Sequence, residues 1–391
     1  MRIARLVAYH VKVPLKMTIR HASFTRRESE NVIIQCELEN GMTGWGEGVP
    51  RSYVTGETIE SVMDTLSRSR VREQLANDID VESVVAMCES STFATEQDDP
   101  RNCLSNVARC AVEMSVLDAV MKASNVSLAK VAELVPEAFG IRANNDLIHY
   151  TAPITSMSAW KQTLRGRLAR WYGFRDCKAK VGVDGIDDIE TLKRIRTAIG
   201  SRMTMRIDGN EAWDCEQTTA KMRQFEPFTI AAVEQPVPHR LSDGLAQVRQ
   251  DINIPVMLDE SLCSLTDAQH AIERGTCDLF NIRLSKCGGF ISSLKIAATA
   301  HRAGLAIQLG CQVGETGILS AAGRAFAASV SGLQFVEGSY DRFLLRNNVT
   351  TRNVSWSYGG IGRPTEQAGL GVEIDHRVLE RMAVRRLELK L

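Results

Sequence analysis

The chain reads KAKVG at residues 178–182, RIDGN at 206–210, VEQP at 233–236, LDES at 258–261 and LSKCGG at 284–289. Each motif carries a charged side chain at the end of a short apolar or β-branched run. These charged residues, 28, 26, 25 and 27 positions apart, are Lys180, Asp208, Glu234, Asp259 and Lys286. One strand, one helix and two loops occupy about 25 to 30 residues, so the spacing predicts that all five lie at one height on successive strands.

Helix-length amphipathic stretches separate the apolar runs from about residue 148 onward, which is typical of a parallel sheet. Eight strands are predicted, at Ile148–Ile154, Phe174–Val181, Met203–Asp208, Ile230–Glu234, Pro255–Asp259, Leu279–Leu284, Ala306–Leu309 and Leu333–Glu337. Eight parallel strands with right-handed crossovers close most economically into a barrel, whose C-terminal mouth would collect the five charged side chains. A Gly-rich, irregular stretch stands where the eighth helix would be.

The first part of the chain has a different pattern, that of an α+β domain. Strands are predicted near residues 2–13 and 32–39, and helices near 57–68, 81–89 and 105–122. The last residues, 385–391, are strand-like and are expected to return to this first part. We therefore predict an N-terminal domain over residues 1–130, a barrel over 140–355 and a returning segment over 356–391.

The composition excludes several classes of function. Lys plus Arg and Asp plus Glu both number 47, with no run of one sign, which argues against nucleic acid or a membrane surface as partner. No stretch reaches the roughly 18 apolar residues of a membrane-spanning helix, so a cytoplasmic protein is expected. The glycines at 359–362 follow the last strand and lack a following helix, which argues against a dinucleotide loop.

The three predicted carboxylates favour a hard metal ion. Asp208, Glu234 and Asp259 offer oxygen ligands on adjacent strands without a nearby His or Cys, a set that suits Mg²⁺, or Mn²⁺, and disfavours zinc. Lys180 and Lys286 stand on either side of this trio in strand order. An ammonium beside a divalent cation loses its proton more easily, so each lysine is predicted to transfer protons, on opposite faces of a bound substrate.

With these residues in place, the sequence resembles the enolase superfamily. KAKVG, RIDGNEAW, VEQP, LDES and the KCGG turn carry the likeness, and the Lys-x-Lys of the second strand with a single Lys on the sixth is similar to its muconate lactonizing enzyme subgroup. The resemblance implies an α/β fold with a (β/α)₇β TIM-like barrel under an α+β capping domain. It also implies that the three carboxylates bind the metal, that Lys180 and Lys286 are the acid and base, and that Lys178 stabilises an enolate oxygen.

The same resemblance implies a set of substrate contacts. Asn210 and Gln235 would be supporting polar groups, and Glu315 would lie near the substrate. Two cap loops, 16–24 and 51–57, would recognise the substrate, which makes Arg20, His21 and Tyr53 candidates. Related dipeptide epimerases hold the substrate ammonium with Asp-x-Asp after the eighth strand. This chain has Glu337-Gly338-Ser339 there, so Glu337 is a further candidate and the departure argues against a dipeptide.

These residues predict Mg²⁺-dependent removal of a proton α to a carboxylate through an enolate. The expected outcome is racemisation or epimerisation of an amino-acid derivative. Cycloisomerisation of a muconate-like diacid and dehydration of a hydroxy acid are the alternatives within the same chemistry. A non-catalytic binding barrel would lack a ligand or a lysine, and none is missing. A small carboxylate substrate and a homo-oligomer are expected.

Overall fold

The computed structural model describes residues 1–20, 25–75, 77–95, 98–155 and 158–389. It contains a four-stranded antiparallel sheet, an eight-stranded parallel sheet and a small two-stranded sheet. A single large apolar core runs through both main sheets and the helices around them. The α/β class and the separate N-terminal sheet agree with the sequence prediction.

The N-terminal part is a sheet covered by helices. Its strands, in the order β14-β1-β2-β3, are β1 (Ile3–Arg20), β2 (Thr25–Leu38), β3 (Thr43–Gly48) and β14 (Ala383–Glu388). Its helices are α1 (Ile59–Arg68), α2 (Val71–Gln74), α3 (Val84–Ser90), α4 (Asn106–Ala123) and α5 (Val131–Leu134).

Helix α4 lies directly on strand β3 because glycines there leave room for it. A Cβ atom at Gly44 would stand 2.2 Å from the carbonyl oxygen of Ser115, and one at Gly46 would stand 2.0 Å from that of Ala111. Almost every side chain of α4 is buried, since the helix has the sheet on one side and the parallel-sheet region on the other.

The parallel sheet has the order β5 to β12 without interruption. Its strands are β5 (Ala152–Ile154), β6 (Asp176–Lys180), β7 (Thr204–Asp208), β8 (Ile230–Glu234), β9 (Val256–Leu258), β10 (Leu279–Ile282), β11 (Ala306–Leu309) and β12 (Leu333–Val336). The helices between them are α6 (Ala159–Trp171), α7 (Asp188–Ile199), α8 (Cys215–Phe225), α9 (Leu245–Asp251), α10 (Leu265–Arg274), α11 (Phe290–Arg302) and α12 (Gly317–Ser329). After β12 follow α13 (Asp341–Leu344), β13 (Ile361–Gly362) and α14 (His376–Met382).

The first predicted strand of the barrel is divided in two. Residues Ile148–His149 form β4, which pairs with β13, and the backbone N–H of Tyr150 donates to Gly360. The backbone N–H of Thr151 then donates to Val336 of β12 over 2.8 Å. The chain changes partner at residue 150, so the Gly-rich stretch 358–362 provides the pairing that splits the strand.

Buried carboxylates attach the N-terminal part to the parallel-sheet region. Glu47 of β3 accepts hydrogen bonds from the backbone N–H groups of Thr316 and Leu319 at the start of α12. Glu113 of α4 accepts one from Phe290 at the start of α11. Negative groups are favoured at helix N-termini, so these contacts fix the two loops that precede α11 and α12.

The C-terminal segment returns to the first sheet, as the strand-like end of the sequence predicted. β14 pairs antiparallel with β1, with Glu388 opposite Val7. Asp118 of α4 also accepts a hydrogen bond from the backbone N–H of Leu370. Among the residues described, no helix has the length and apolar character needed to cross a bilayer.

Candidate active site

Strand pairing brings the predicted site residues into one row. Lys180 of β6 is paired with Asp208 of β7, Asp208 with Glu234 of β8, and Glu234 with Met257 of β9. Asp259 lies two residues beyond Met257, at the end of its strand. Because parallel strands present their C-terminal ends at one edge, the charged groups inferred from the spacing occupy one end of the sheet.

A buried ion-pair network lies beneath this row. The guanidinium of Arg206, which is fully buried, contacts Glu234 at 3.1 Å and Glu337 at 2.6 Å. The ammonium of Lys178 lies 2.8 Å from Glu337, 3.4 Å from Glu234 and 3.6 Å from Asp208. Positive groups thus hold the carboxylates from the interior of the sheet.

Glu337 belongs to this network, although the sequence suggested a substrate contact. Its side chain is 6% exposed and both of its oxygens are bound by Lys178 or Arg206. Burial would raise the pKa of Glu337, but Lys178 and Arg206 outweigh it and bring the pKa to about 2. The structure therefore gives Glu337 an interior role, neutralising two cations, and leaves it little surface for a substrate.

Lys180 has a different environment from Lys178, its neighbour on the same strand face. Within the described residues it forms no hydrogen bond or ion pair, and its side chain is half-buried. Burial and the nearby charge of Lys178 lower the pKa of Lys180, against the opposing effect of Asp208. A partly accessible amine with a lowered pKa is suited to act as a general base.

Lys286 contacts the Asp259 end of the carboxylate row. Its side chain is 0% exposed. Its ammonium donates to the carbonyl oxygen of Asp259 at 2.6 Å, to Oδ1 of Asp259 at 2.8 Å and to the carbonyl oxygen of Asn281 at 2.8 Å. All three donors are used, so Lys286 braces the Asp259 backbone and carboxylate, and its predicted role in proton transfer stays a prediction.

Arg283 is a further cation beside the carboxylate row. Its guanidinium forms an ion pair with Asp259, lies 3.5 Å from Glu234 and donates to Gln312 at 3.2 Å. Sequence reasoning missed this residue because it carries no spacing signal of its own. Strand parity could have found it, since Arg283 is two positions after Asn281, whose side chain donates to Glu234.

The three carboxylates fit a divalent cation by their chemistry. Burial is the main cause that raises the pKa of Glu234 to about 7, and the charges of Asp208, Glu337 and Asp259 add to it while Lys178 opposes it. A divalent cation would relieve this crowding of negative groups. In the described part of the chain no three His, Cys, Asp or Glu side chains are gathered as a complete ligand set. The cationic groups of Lys178 and Arg283 contact these carboxylates instead.

Two polar residues shape the loops that carry the ligands. Asn210 has φ 44° in the turn after β7, and its backbone N–H donates to Asp208 at 3.1 Å. Gln235 accepts from the backbone N–H groups of Asp259 at 2.9 Å and Ser261 at 3.1 Å. Both contacts orient a predicted ligand, and the predicted contact of Asn210 with substrate stays a prediction.

Glu260, beside Asp259, was not singled out in the sequence. It is buried, one of its oxygens has no hydrogen-bond partner among the described residues, and burial next to Asp259 raises its pKa well above the ordinary value. Glu260 directly follows Asp259, so the spacing of charged residues along the strands gave no separate reason to single it out.

The cap loop 51–57 is attached to the mouth by a buried arginine. Arg51 donates to Oγ of Ser29 at 3.0 Å and to the carbonyl oxygen of Val313. Glu315, two residues after Val313, is half-buried, and its partial burial raises its pKa to about 8. Tyr53 is half-buried in the same loop, and burial raises its pKa. The side chain of Arg20 and the whole of His21 lie outside the described residues.

Comparison with known proteins identifies the family. Residues 3–132 match the profile of the mandelate racemase / muconate lactonizing enzyme N-terminal domain, and residues 163–378 match that of the enolase C-terminal domain-like family. The chain belongs to the mandelate racemase/muconate lactonizing enzyme family of the enolase superfamily. The predicted resemblance is confirmed.

Members of this family with related sequences are isomerases. The hydrophobic dipeptide epimerase of Enterococcus faecalis is 28% identical over 95% of this chain and 99% of its own. The N-succinyl-L-Arg/Lys racemase of Bacillus cereus is 26% identical over 98% of both chains. A crystal structure of the dipeptide epimerase from Enterococcus faecalis V583, in complex with Mg and the dipeptide L-Leu-L-Tyr, superposes with a TM-score of 0.83 at 26% identity. It covers 95% of this chain and 100% of that one.

Proposed function

We propose that the protein removes the proton α to the carboxylate of a small amino-acid derivative and forms an enolate. Lys180 is the base, and Asp208, Glu234 and Asp259 are the residues that hold Mg²⁺. The bound metal ion would stabilise the negative charge of the enolate as a Lewis acid. Lys178 adds a fixed positive charge below the same carboxylates.

The observation that carries this proposal is the row formed by Lys180, Asp208 and Glu234 on paired strands, with Asp259 at the end of the next one. The row puts a half-buried amine with a lowered pKa beside three hard oxygen ligands. The amine and the metal ligands are both needed for the reaction, since an α-proton next to an ionised carboxylate is removed only when a base and a charge-stabilising group act together.

Two overall outcomes are compatible with an enolate. Racemisation or epimerisation is supported by the activities named for the relatives, and it requires proton transfer on both faces of the α-carbon. Muconate-type cycloisomerisation and hydroxy-acid dehydration can proceed with a base on one face.

Barrel closure, domain boundaries, oligomeric state and location belong to the same proposal. We infer that the eight-stranded sheet closes into a (β/α)₇β barrel, supported by the Thr151–Val336 backbone hydrogen bond between its first and last strands. We also propose an N-terminal domain over residues 1–130, a barrel over 140–355 and a returning segment over 356–391. Mn²⁺ as a substitute metal, assembly as a homo-oligomer and a cytoplasmic location remain predictions.

The test is exchange of the α-proton in D₂O. Purified protein with Mg²⁺ is incubated with the L and D forms of a panel of N-succinyl amino acids and dipeptides. Loss of the Cα–H signal is followed by ¹H NMR. Deuterium should enter at Cα of at least one panel member and should depend on Mg²⁺. If no panel member exchanges while Mg²⁺ binds by calorimetry, the assignment to amino-acid derivatives is wrong.

A further inference from the structure

Helix α6 presents its large apolar side chains to solvent. Its four large apolar residues that are 64%, 46%, 49% and 75% exposed are, in that order, Trp160, Leu164, Leu168 and Trp171. They are spaced four, four and three residues apart, so they lie along one side of the helix. Single exposed apolar residues are ordinary, whereas a contiguous stripe marks an interaction surface.

The inward side of α6 carries small or polar residues instead. Its buried residues are Gln162, Gly166 and Ala169. A Cβ atom at Gly166 would stand 2.8 Å from the Cβ atom of Ala198, so α6 packs closely on α7 there. The large apolar side chains of α6 therefore face away from the core, and only another surface can remove them from water.

The exposed stripe reads the same in both directions along the helix: Trp, Leu, Leu, Trp. When two copies of α6 lie antiparallel and cross near Gly166, Trp160 of one copy is opposite Trp171 of the other. In the same arrangement Leu164 is opposite Leu168. A two-fold symmetric contact requires such self-complementarity, because each copy contributes the same surface. The pattern therefore fits a second copy of this chain.

Helices α6 and α7 run side by side in the same direction. Near the start of α6, Gln162 accepts a hydrogen bond of 2.7 Å from Arg194 in the middle of α7. At the end of α6, the guanidinium of Arg170 lies beside Gly200, which directly follows α7. The contacts advance together along both helices, so the C-terminal ends of α6 and α7 lie at the same end of one two-helix face.

Exposed charges on this two-helix face are separated by sign along its length. Arg167 and Arg170 lie in the C-terminal half of α6, whereas Asp187 and Glu190 lie at the N-terminal end of α7. In an antiparallel pair, the basic end of one copy therefore lies over the acidic end of the other. This charge complementarity favours a second copy over an anionic membrane surface, which would repel the acidic end.

We propose that α6 and the start of α7 form a two-fold interface, on which a second copy of this chain docks in antiparallel orientation. A groove of about 450 Å³ between the two helices receives Trp160 of the second copy, and its lining residues are Arg167, Arg170, Trp171, Thr197 and Ala198. This inference specifies the homo-oligomer proposed above and is independent of the reaction at the carboxylate row.

The first experiment measures molar mass by light scattering after size-exclusion chromatography. The wild type should be a dimer, or an even-numbered assembly where a further interface is present. Leu164→Arg places a charge in the middle of the stripe and should lower the mass at least two-fold. Phe139→Arg makes the same kind of change at an exposed apolar residue outside this face and should leave the mass unchanged. Circular dichroism melting checks that each variant is folded.

A charge exchange gives a second measurement, which decides the matter if Leu164→Arg does not fold. Arg170→Glu and Glu190→Arg each place like charges across the interface and should raise the Kd of self-association by about ten-fold. The double variant restores opposite charges and should recover the wild-type Kd. Sedimentation equilibrium measures the Kd.

Two results would overturn the inference. One is a wild-type assembly whose mass and Kd change neither in Leu164→Arg nor in the charge-exchange variants. The other is a monomeric wild type, and sedimentation of that monomer with phosphatidylserine vesicles would assign the stripe to a membrane surface instead. The α-proton exchange assay reports on the proposed function separately from both results.

Discussion

The ends of the second and the sixth strands of the parallel sheet differ, although their sequences look alike. Both carry two basic residues: Lys178 and Lys180 at one end, Arg283 and Lys286 at the other. At the second strand, Lys178 is engaged in ion pairs and Lys180 is left without a partner among the described residues. At the sixth, Lys286 is enclosed and Arg283 contacts the carboxylates. The two strand ends therefore differ in how far the surrounding carboxylates pair with their basic residues.

Replacing Lys180 should have the largest effect on the rate of α-proton exchange. Lys180→Met removes the general base and should lower α-proton exchange by about 10² to 10⁴-fold. The half-buried side chain has no ion pair to lose, so the melting temperature should stay near that of the wild type. Exchange is measured by ¹H NMR in D₂O and melting by calorimetry.

Lys193→Met, on the exposed face of α7, is the matched control and should change neither quantity. Full exchange activity in Lys180→Met would show that another group removes the proton.

Replacing Lys286 should lower the free energy of unfolding. Lys286→Met leaves the buried Asp259 carboxylate without its ammonium, and breaking one side of a buried ion pair costs about 3 to 5 kcal/mol. The free energy of unfolding is measured by urea titration in the absence of Mg²⁺. A variant as stable as the wild type would contradict the bracing role that the hydrogen bonds indicate.

A smaller effect is expected from replacing Gln235. Its side chain accepts hydrogen bonds from the backbone of Asp259 and Ser261 and so orients the Asp259 end of the carboxylate row. Residues that orient metal ligands typically contribute 10 to 100-fold in metal affinity, so Gln235→Ala should weaken Mg²⁺ binding by about that factor. Calorimetric titration measures the Kd. Gln247→Ala, an exposed glutamine on α9, should bind Mg²⁺ as the wild type does, and equal Kd values for the two variants would contradict the role of Gln235.

The smallest effect should come from the cap. Tyr53→Phe removes one hydroxyl group from the loop held by Arg51, and loss of one hydrogen bond costs about 0.5 to 1.5 kcal/mol. KM should rise by a few-fold with little change in stability. Tyr358→Phe, whose exposed hydroxyl donates to the carbonyl oxygen of Trp171, is the control. An unchanged KM for the substrate would remove Tyr53 from the binding site.

Spacing in the sequence predicted which strand each charged residue follows. Spacing also predicted the row of Lys180, Asp208 and Glu234, and residue periodicity predicted helices α1, α3 and α4 and the returning C-terminal strand. Periodicity and spacing are local properties, set by the length of a strand–helix unit. The split of Ile148–Ile154 was not predictable, because its cause is pairing with residues 361 and 362, more than two hundred positions later.

The sequence by itself determined the family, three candidate metal ligands and Lys180 as a candidate base, because those features follow from residue type and interval. Only the tertiary structure decided that Glu337 is an interior counter-ion, that Lys286 braces Asp259, and that Arg283 contacts the carboxylate row. These roles depend on which oxygens and cations from distant strands fill the space around each side chain. Burial then fixes the outcome, since an enclosed charge is costly unless it is paired or hydrogen-bonded.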